Sequence, residues 1–597
     1  MSLSMDEGVD YTAYRRFFLF KTVIPAFVFP TVTVAFLARL LFHNTLSWPA
    51  TILLQIASVP LWNTIRSTYS DFRHTQEAKR LGAVEPPKVV GKWPGNIDIM
   101  LAMFKSAKTK YFHDYIDTLF EEHSSHTVNT RLLWGNQIWT RDEGVVKYVL
   151  ATGFEKFGKG QRIKMNMETF LGSGIFNRDG DTWRSHRAMA RPFFAKERIS
   201  DFEYFEEHAA HTLSVLRGVG DSAVDVQDLF ARFTLDTASS FLFGSNIDTL
   251  SLPLPKAGEA VMGPKGSAIE GEFGEFASAF ESAQQVIIER SRFGVAWPVV
   301  ELFGDRTLQY VQAIRNFLDP MVKRALDEKQ KAKAAGIEKH AEDTNFLDYL
   351  ATNTDDPEMI RFELLNILLA SRDTTACLLT YTIYLLAQYP EVLARVREEA
   401  LNACPPGQVP TYESLRHLKY MRAVLNETLR LFPPVPGNGR ASVGVASAIP
   451  PSPASPDQRP IYVPPYTGVI YSPLLLHRRK DLWGPDADEF DPDRWIDKRV
   501  DRMVKNPLMF VPFNAGPRIC LGQQFALNEA SFFLVRLFQE YDRFELTPEY
   551  QPAGSIPPDS WKTEGRGRAK IEKVWPASAL TLYVKGGLWV RFGRAAA

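Results

Sequence analysis

The chain has 597 residues, 45% hydrophobic and 12% aromatic, enough apolar material for a large buried core, which excludes a disordered chain or a small stapled scaffold. Its 69 Lys plus Arg balance 69 Asp plus Glu, so no global charge favours nucleic acid or an acidic partner, and any partner must be recognised locally. The three cysteines, Cys377, Cys404 and Cys520, cannot build a disulfide framework and lack the paired spacing of a structural zinc site, which points to reducing cytosol for the bulk of the chain.

Residues 22–38, TVIPAFVFPTVTVAFLA, carry no charge and lie between Lys21 and Arg39, a length just within spanning range. A second uncharged stretch runs from Trp48 to Ile65 and is followed by Arg66, Arg73, Lys79 and Arg80. With Arg15, Arg16 and Lys21 ahead of the first stretch, the positive-inside rule favours a hairpin of two spans with both ends cytosolic. A cleaved signal peptide or buried soluble helices are the alternatives, and Pro25, Pro30, Pro49 and Pro60 leave open that one segment lies in the interface. Residues 1–83 are therefore expected as a membrane anchor, 84–95 (VEPPKVVGKWPG) as a stiff linker that cannot continue a helix, and 96–597 as one soluble domain.

From Asp114 onward, apolar residues recur at three- and four-residue steps around 200–245, 275–335 and 357–402, which predicts a mainly α fold. Short β-rich runs near 131–140, 461–471 and 580–592 are too scattered for a large sheet. Residues 446–460 read as a Pro/Ser-rich loop and 549–567 as a Pro/Gly-rich insertion. Trp183 and Arg187, in DTWRSHRAMARPFF, stand at i, i+4 on an expected helix and so point to one side; core packing and a surface ion pair are the plainer readings.

Asp356-Pro357 predicts a helix start, an acid at the cap and a proline in the first turn, with the helix running towards Pro390. Within it Ser371, Arg372, Asp373, Thr374 and Thr375 interrupt an otherwise greasy run. Ser and Thr there can bond back to carbonyls and loosen the ladder, so that the turn holds water; a solvated notch or a polar contact between helices is the alternative. Glu427 and Arg430 stand at i, i+3 in YMRAVLNETLRLFPPVP, a pair worth about 0.2–0.5 kcal/mol when exposed. Arg440 follows in LFPPVPGNGRAS, then Phe490-Asp-Pro492-Asp-Arg494-Trp495.

The sharpest chemistry lies at Phe513-Asn-Ala-Gly516-Pro-Arg518-Ile-Cys520-Leu-Gly522, ahead of the amphipathic run QQFALNEASFFLVRLFQE. A cysteine thus stands at a helix N-terminus, where the dipole and unpaired N–H groups lower the thiol pKa and favour a metal-ligating or nucleophilic thiolate. Gly516 permits a tight turn, Gly522 leaves room beside the sulfur, and Arg518 could neutralise an acidic group; a flat, dianionic cofactor fits. A small buried hydrophobe is the alternative for Cys520, and packing is the expected role of Cys377 and Cys404.

The pattern FxxGxRxCxG resembles the cysteine loop of the cytochromes P450, haem-thiolate monooxygenases, and the other motifs follow in that family's order from Trp183 to Gly522. The resemblance implies a haem b held by Cys520 as the axial iron ligand, with Phe513 and Arg518 from the loop and Trp183, Arg187 and Arg440 around the cofactor and its propionates. It implies Asp373 and Thr374 as the groups that route protons to bound oxygen, and Glu427, Arg430 and Arg494 as a buried network that scaffolds the loop. Ser371 stands where the family usually has Gly, which bears on the width of the oxygen groove. It further implies O2 as co-substrate and a hydrophobic small-molecule substrate. NADPH would serve only through a separate NADPH-cytochrome P450 reductase, because the stretch after Cys520 is too short for flavin domains. An endoplasmic reticulum location with the haem domain facing the cytosol completes the expectation. The ASRDTTA, NETLRLFPPVP and HRRKDLWGPDADEFDPDRW runs are similar to fungal membrane-bound alkane and fatty-acid hydroxylases, which makes a long apolar chain the leading substrate. Terpenoid, steroid or xenobiotic oxidation, a reductase-independent isomerase or dehydratase, and a catalytically silent haem-binding protein are the alternatives; the intact Asp373-Thr374 pair disfavours the last two.

Overall fold

Pro25 and Pro30 do not end the first apolar segment. A π-helical stretch, Leu19–Val28, absorbs Pro25, with the Phe29 N–H reaching back to the Ile24 carbonyl, and runs directly into the α-helix Phe29–Phe42. A widened turn of this kind accommodates a residue that cannot donate. The structure, a computed structural model, describes residues 18–42, 47–195, 202–259, 272–294, 297–335, 345–452 and 458–595. Among them, Leu19–Leu41 is the one helical run long and apolar enough to cross a membrane, with mean hydropathy 1.9. The second segment begins a much longer helix, Trp48–Arg80. It pairs with the first: Trp62 Nε1 donates to the Pro25 carbonyl and Asn63 Nδ2 to the Ala26 carbonyl, both at 3.0 Å, so carbonyls at the proline irregularity are bonded from the neighbouring helix. Arg15 and Arg16, used for the orientation of the hairpin, lie outside the described residues.

Two compact units account for the described chain. The first takes the chain through Glu168, with Glu289–Arg306 and Gly437–Ser472. Five short strands form its sheet in the order Thr127–Asn129, Gln137–Thr140, Gly468–Tyr471, Asn438–Ser442, Phe157–Gly158. Only Gln137–Thr140 and Gly468–Tyr471 run parallel. Ile138, Val145, Val149, Phe157, Ile449, Val463 and Val469 close a core beneath it.

Residues 84–95, expected as a stiff linker, are hydrogen-bonded into the first unit. The prolines do keep the segment extended, but its backbone is pinned: Val84 N–H donates to the Pro460 carbonyl, Tyr462 N–H to the Val84 carbonyl, Val89 N–H to the Asn129 carbonyl and Asn129 N–H to the Pro87 carbonyl. The end of the long helix is tied into the same unit by Tyr462 OH to Glu77 at 2.7 Å and by Arg131 to Asp71 at 2.8 Å. The end of the long helix is thus a structural part of the first unit.

The second unit takes Thr169–Ile288, Thr307–Pro436 and Pro473 onward and is mainly helical. Its axis is Pro357–Leu386, capped by Asp356, which accepts from Glu358 N and Met359 N. From Phe362 to Leu368 and from Thr375 to Leu386 every residue is buried. A helix that is apolar all round must be covered on all sides, and Val226–Phe243, Lys419–Leu431 and Gln523–Glu540 pack on it. The expected helical stretch 200–245 resolves into Glu203–Val219 and Val226–Phe243, split at Gly220, whose φ is 62°. A three-stranded sheet, Val224–Asp225, Trp589–Arg594 and Tyr541–Leu546, and the hairpin Pro576–Ser578/Leu582–Val584 complete a mainly α fold with small β regions. Of the Pro/Ser-rich loop 446–460, residues 453–457 lie outside the described chain, and its first part is the strand Ser447–Ile449.

Candidate active site

Gly516, at φ 66°, and Asn514, at φ 63°, turn the chain sharply before the short 3-10 turn Gly516–Arg518; a left-handed backbone favours these two residue types. The loop closes on itself through Cys520 N–H to the Phe513 carbonyl at 3.0 Å, and Gly522 caps the helix Gln523–Glu540. Cys520 is therefore held at a helix N-terminus, as its sequence position predicts, and it is exposed. A Cβ built on Gly522 would meet only Phe194, at 3.7 Å, so the approach beside the sulfur is open. Opposing influences act on the thiol pKa. The Gly522 N–H and the Arg187 guanidinium pull it down, but desolvation by the surrounding protein outweighs them and pushes it up. The free thiol thus keeps its proton, and coordination to a cation is what would release it.

The helix Gly180–Ala190 brings Trp183 and Arg187 to this loop. Arg187 Nη2 donates to the Ile519 carbonyl at 2.8 Å, next to the cysteine, and its guanidinium lies 5.9 Å from the Trp183 ring. Arg518 stacks closer on the same ring, at 4.2 Å. Its charge is already engaged: Nη2 lies 2.6 Å from Asp179 Oδ1 and 2.8 Å from the Arg178 carbonyl. Asp179 is a residue that motif reading missed, and its place one step before the helix is the only local signal. His186, between Trp183 and Arg187, pairs with Glu363 of the central helix at 2.5 Å, and Glu363 also accepts from Ile175 N. This buried pair ties the cation-bearing helix to the central one; a glutamate in an all-buried helical run is the signal that could have found it.

Midway along the central helix, which stays α-helical through residues 371–375, Ser371 and Thr374 turn their hydroxyls back on the ladder. Ser371 Oγ bonds back to Ile367 O at 3.0 Å and Thr374 Oγ1 to Ala370 O at 2.7 Å, which takes up carbonyl capacity within the ladder. Thr374 is half-buried and Asp373 buried. Arg372 reaches Glu281 Oε1 at 2.8 Å and lies 3.7 Å from Asp373 Oδ1. Behind Thr375, Glu529 of the helix after the cysteine loop is fully buried, and burial pushes its carboxyl up to about 8. Thr375 and Thr237 face it without hydrogen bonds of good geometry, so Glu529 is a neutral acid at pH 7.

Glu427, Arg430 and Arg494 come together as the motif order implied. Arg430 Nε and Nη2 grip both Glu427 oxygens at 2.8 Å, and its remaining N–H groups go to the carbonyls of His477, Ala487 and Glu489. Arg494 lies 3.5 Å from Glu427 and 2.8 Å from Asp486, while Trp495 Nε1 donates to Glu427 at 2.9 Å. Burial acts to raise the Glu427 carboxyl, but Arg430 and Arg494 hold it below the usual range. The cluster connects to the cysteine loop through His477, whose Nε2 accepts from Val511 N at 2.9 Å; burial lowers this histidine to about 3, so it is neutral. Arg440 belongs to the first unit, on the strand Asn438–Ser442, where Nη1 donates to the Gly439 carbonyl and to Asn438. Cys377 and Cys404 are buried, in keeping with packing roles.

These residues fit a haem. A thiol on an open face can supply the axial ligand, Arg187 stands over the adjacent backbone to meet a carboxylate, and the indole of Trp183 braces both nearby guanidiniums. A family model described as Cytochrome P450 matches residues 92–558. The chain is 38% identical over 447 residues to the cytochrome P450 monooxygenase himC of Aspergillus japonicus, covering 74% of this chain and 76% of that protein. It is 37% identical over 486 residues to cytochrome P450 52E1 of Candida apicola, covering 80% and 89%, and 34% identical over 506 residues to the cytochrome P450 monooxygenase g430 of a Fusarium species, covering 82% and 85%.

Proposed function

The chain belongs to the cytochrome P450 family of haem oxidoreductases, and from that premise we propose that it is a membrane-anchored monooxygenase that inserts one oxygen atom of O2 into a long-chain alkane or fatty acid. Electrons come from NADPH through a separate reductase on the same membrane, and the catalytic part faces the cytosol from the endoplasmic reticulum. The haem, when bound, supplies oxygen activation, favoured by electron donation from a thiolate. Cys520 would ligate its iron, Trp183, Arg187 and Arg518 would hold its propionates, and Phe513 would close the loop that carries the cysteine. Thr374 and Asp373 would hold and pass the protons that oxygen activation consumes. Glu427, Arg430 and Arg494 act through the loop and do not touch the reacting atoms.

The observation that carries this reading is the cysteine loop: the Cys520 N–H to Phe513 bond and the Arg187 to Ile519 bond present a sulfur beside a cation at a helix N-terminus. The reduced carbon monoxide complex should show the haem-thiolate Soret band, and Cys520→Ala should abolish it; an unchanged band in the variant overturns the ligand assignment. Thr374→Val keeps the β-branch and removes the hydroxyl, so with NADPH and reductase it should retain that band while yielding less product and more hydrogen peroxide per NADPH. Fatty acids and alkanes should give spectral binding shifts ahead of terpenes and steroids; the reverse order moves the substrate class.

A further inference from the structure

Arg372 and Asp373 are neighbours on one helix, and adjacent helical residues point about 100° apart, so local geometry alone does not make them face each other. What decides their distance is where the long arginine side chain is drawn. Here it is drawn away. Arg372 Nη2 donates to Glu281 Oε1 at 2.8 Å, across from the helix Glu272–Phe293, while Nη1 stays 3.7 Å from Asp373 Oδ1, within ion-pair range and beyond hydrogen-bond range. Neither Nη1 nor Nε has a hydrogen-bond partner among the described residues, although the side chain is 2% exposed. A guanidinium carries five donors and rarely wastes them when buried. The backbone of the same turn is held separately, since Thr234 Oγ1 donates to the Arg372 carbonyl at 2.9 Å. The side chain can therefore move without the turn moving.

We propose that Arg372 is a positioning residue for Asp373, and that Glu281 keeps the guanidinium from closing onto Asp373, so that the carboxylate keeps the freedom to turn that passing protons requires. This rests on the role given to Asp373 above. Without Glu281, Nη1 needs to move less than an ångström to make a charge-assisted hydrogen bond with Asp373, and a locked carboxylate is both more acidic and less free to turn. Other charges face the pair. Asp228 on the helix Val226–Phe243 is held by Arg232 at 2.8 Å, and Glu529 approaches from the helix Gln523–Glu540 at Thr375. Arg315 and Asp319 of the helix Leu308–Ala334 meet the central helix near its start, at Glu358 and Arg361, and Glu427 and Arg430 of Lys419–Leu431 satisfy each other. Glu281 is the one carboxylate among these that hydrogen-bonds to Arg372.

The test uses the full-length, haem-loaded protein. The stability difference between the Asp373 form and Asp373→Asn, followed against pH by thermal unfolding, titrates Asp373 in the folded state. Glu281→Gln should move that midpoint down by about one pH unit. In an Arg372→Gln background the same change should move it by less than about a third of that, because the effect passes through the guanidinium. An equal shift in both backgrounds reveals a direct field from Glu281, and no shift at all shows that Arg372 does not respond; either overturns the proposal. Should Arg372→Gln not fold, Arg372→Lys serves, since it keeps the cation, loses the fork, and should at least halve the shift. In NADPH-driven turnover with reductase and dodecanoic acid as probe, Glu281→Gln should raise the peroxide released per NADPH about twofold or more, with Glu281→Asp restoring it. A moved midpoint without a peroxide change overturns the mobility half of the proposal. Absence of the Cys520-dependent band in the parent protein would instead defeat the monooxygenase reading and leave the titration result standing.

Discussion

Two buried clusters of carboxylate and guanidinium lie in the second unit, and they are built on opposite plans. Around Glu427, with the side chains of Glu427 and Arg430 wholly buried, Arg430 makes five hydrogen bonds, two to the glutamate and three to carbonyls. Around Asp373, an arginine just as deeply placed makes one, to Glu281, and stands off from its neighbouring aspartate. A buried ion cluster in which every donor is used has one low-energy arrangement and serves as scaffold. A cluster with unspent donors has a second arrangement close in energy, which suits a place where a proton must be held and then given up.

The comparison breaks most visibly at Arg430. Arg430→Leu should strand Glu427 in a dry interior and cost about 3–5 kcal/mol, read as loss of the haem-thiolate band together with a fall in the urea midpoint; a cost under about 1 kcal/mol would mean that the cluster is no scaffold. Next in size is Glu529, a buried acid with no cation beside it among the described residues. Its folded pKa, about 8, lies above the ordinary glutamate value of 4.5. The native state therefore binds the extra proton, and the stability this contributes is full below about pH 4.5 and is lost as pH rises through about 8. Glu529→Gln should flatten the pH dependence of unfolding across that window by up to about 1.4 kcal/mol per pH unit; an unchanged slope would show that the acid is solvated. Trp495→Phe deletes a single charge-assisted bond to Glu427 and should cost about 1.5–3 kcal/mol at any pH, less if water replaces it. Smallest is Asp373→Asn, which should change stability at pH 7 by less than about 1 kcal/mol because Glu281 still satisfies Arg372, while peroxide per NADPH rises. A large stability loss there would make Asp373 scaffold as well and erase the contrast.

Features set within a helical turn or two were legible from the residues alone. Asp356-Pro357 specified a helix start because a capping carboxylate and a donor-free first residue satisfy the same orphan N–H groups wherever they occur. Trp183 and Arg187 share a side because i, i+4 geometry is local, and Cys520 stands at a helix N-terminus because glycines and proline stop the chain just before a strongly helical run. The motifs from Trp183 to Gly522 resembled one family, which family and relatives then showed.

Tertiary packing decided what depends on distance through space. Glu281 meets Arg372 across 91 positions of chain and Asp179 meets Arg518 across 339, pairings on which no local spacing bears. Residues 84–95 looked like a linker because proline and glycine exclude a helix, but whether an extended segment runs free or is hydrogen-bonded depends on strand edges contributed by residues 129 and 460–462. The Cys520 thiol shows the division most sharply. Sequence position supplied the helix N-terminus, which acts to lower its pKa, whereas the Arg187 guanidinium, which also lowers it, and the larger opposing desolvation both come from parts of the chain distant in sequence. Backbone propensity and helical periodicity act over a few residues and are written in order along the chain. Burial and charge pairing act over a few ångströms, and only the fold determines which residues those ångströms join.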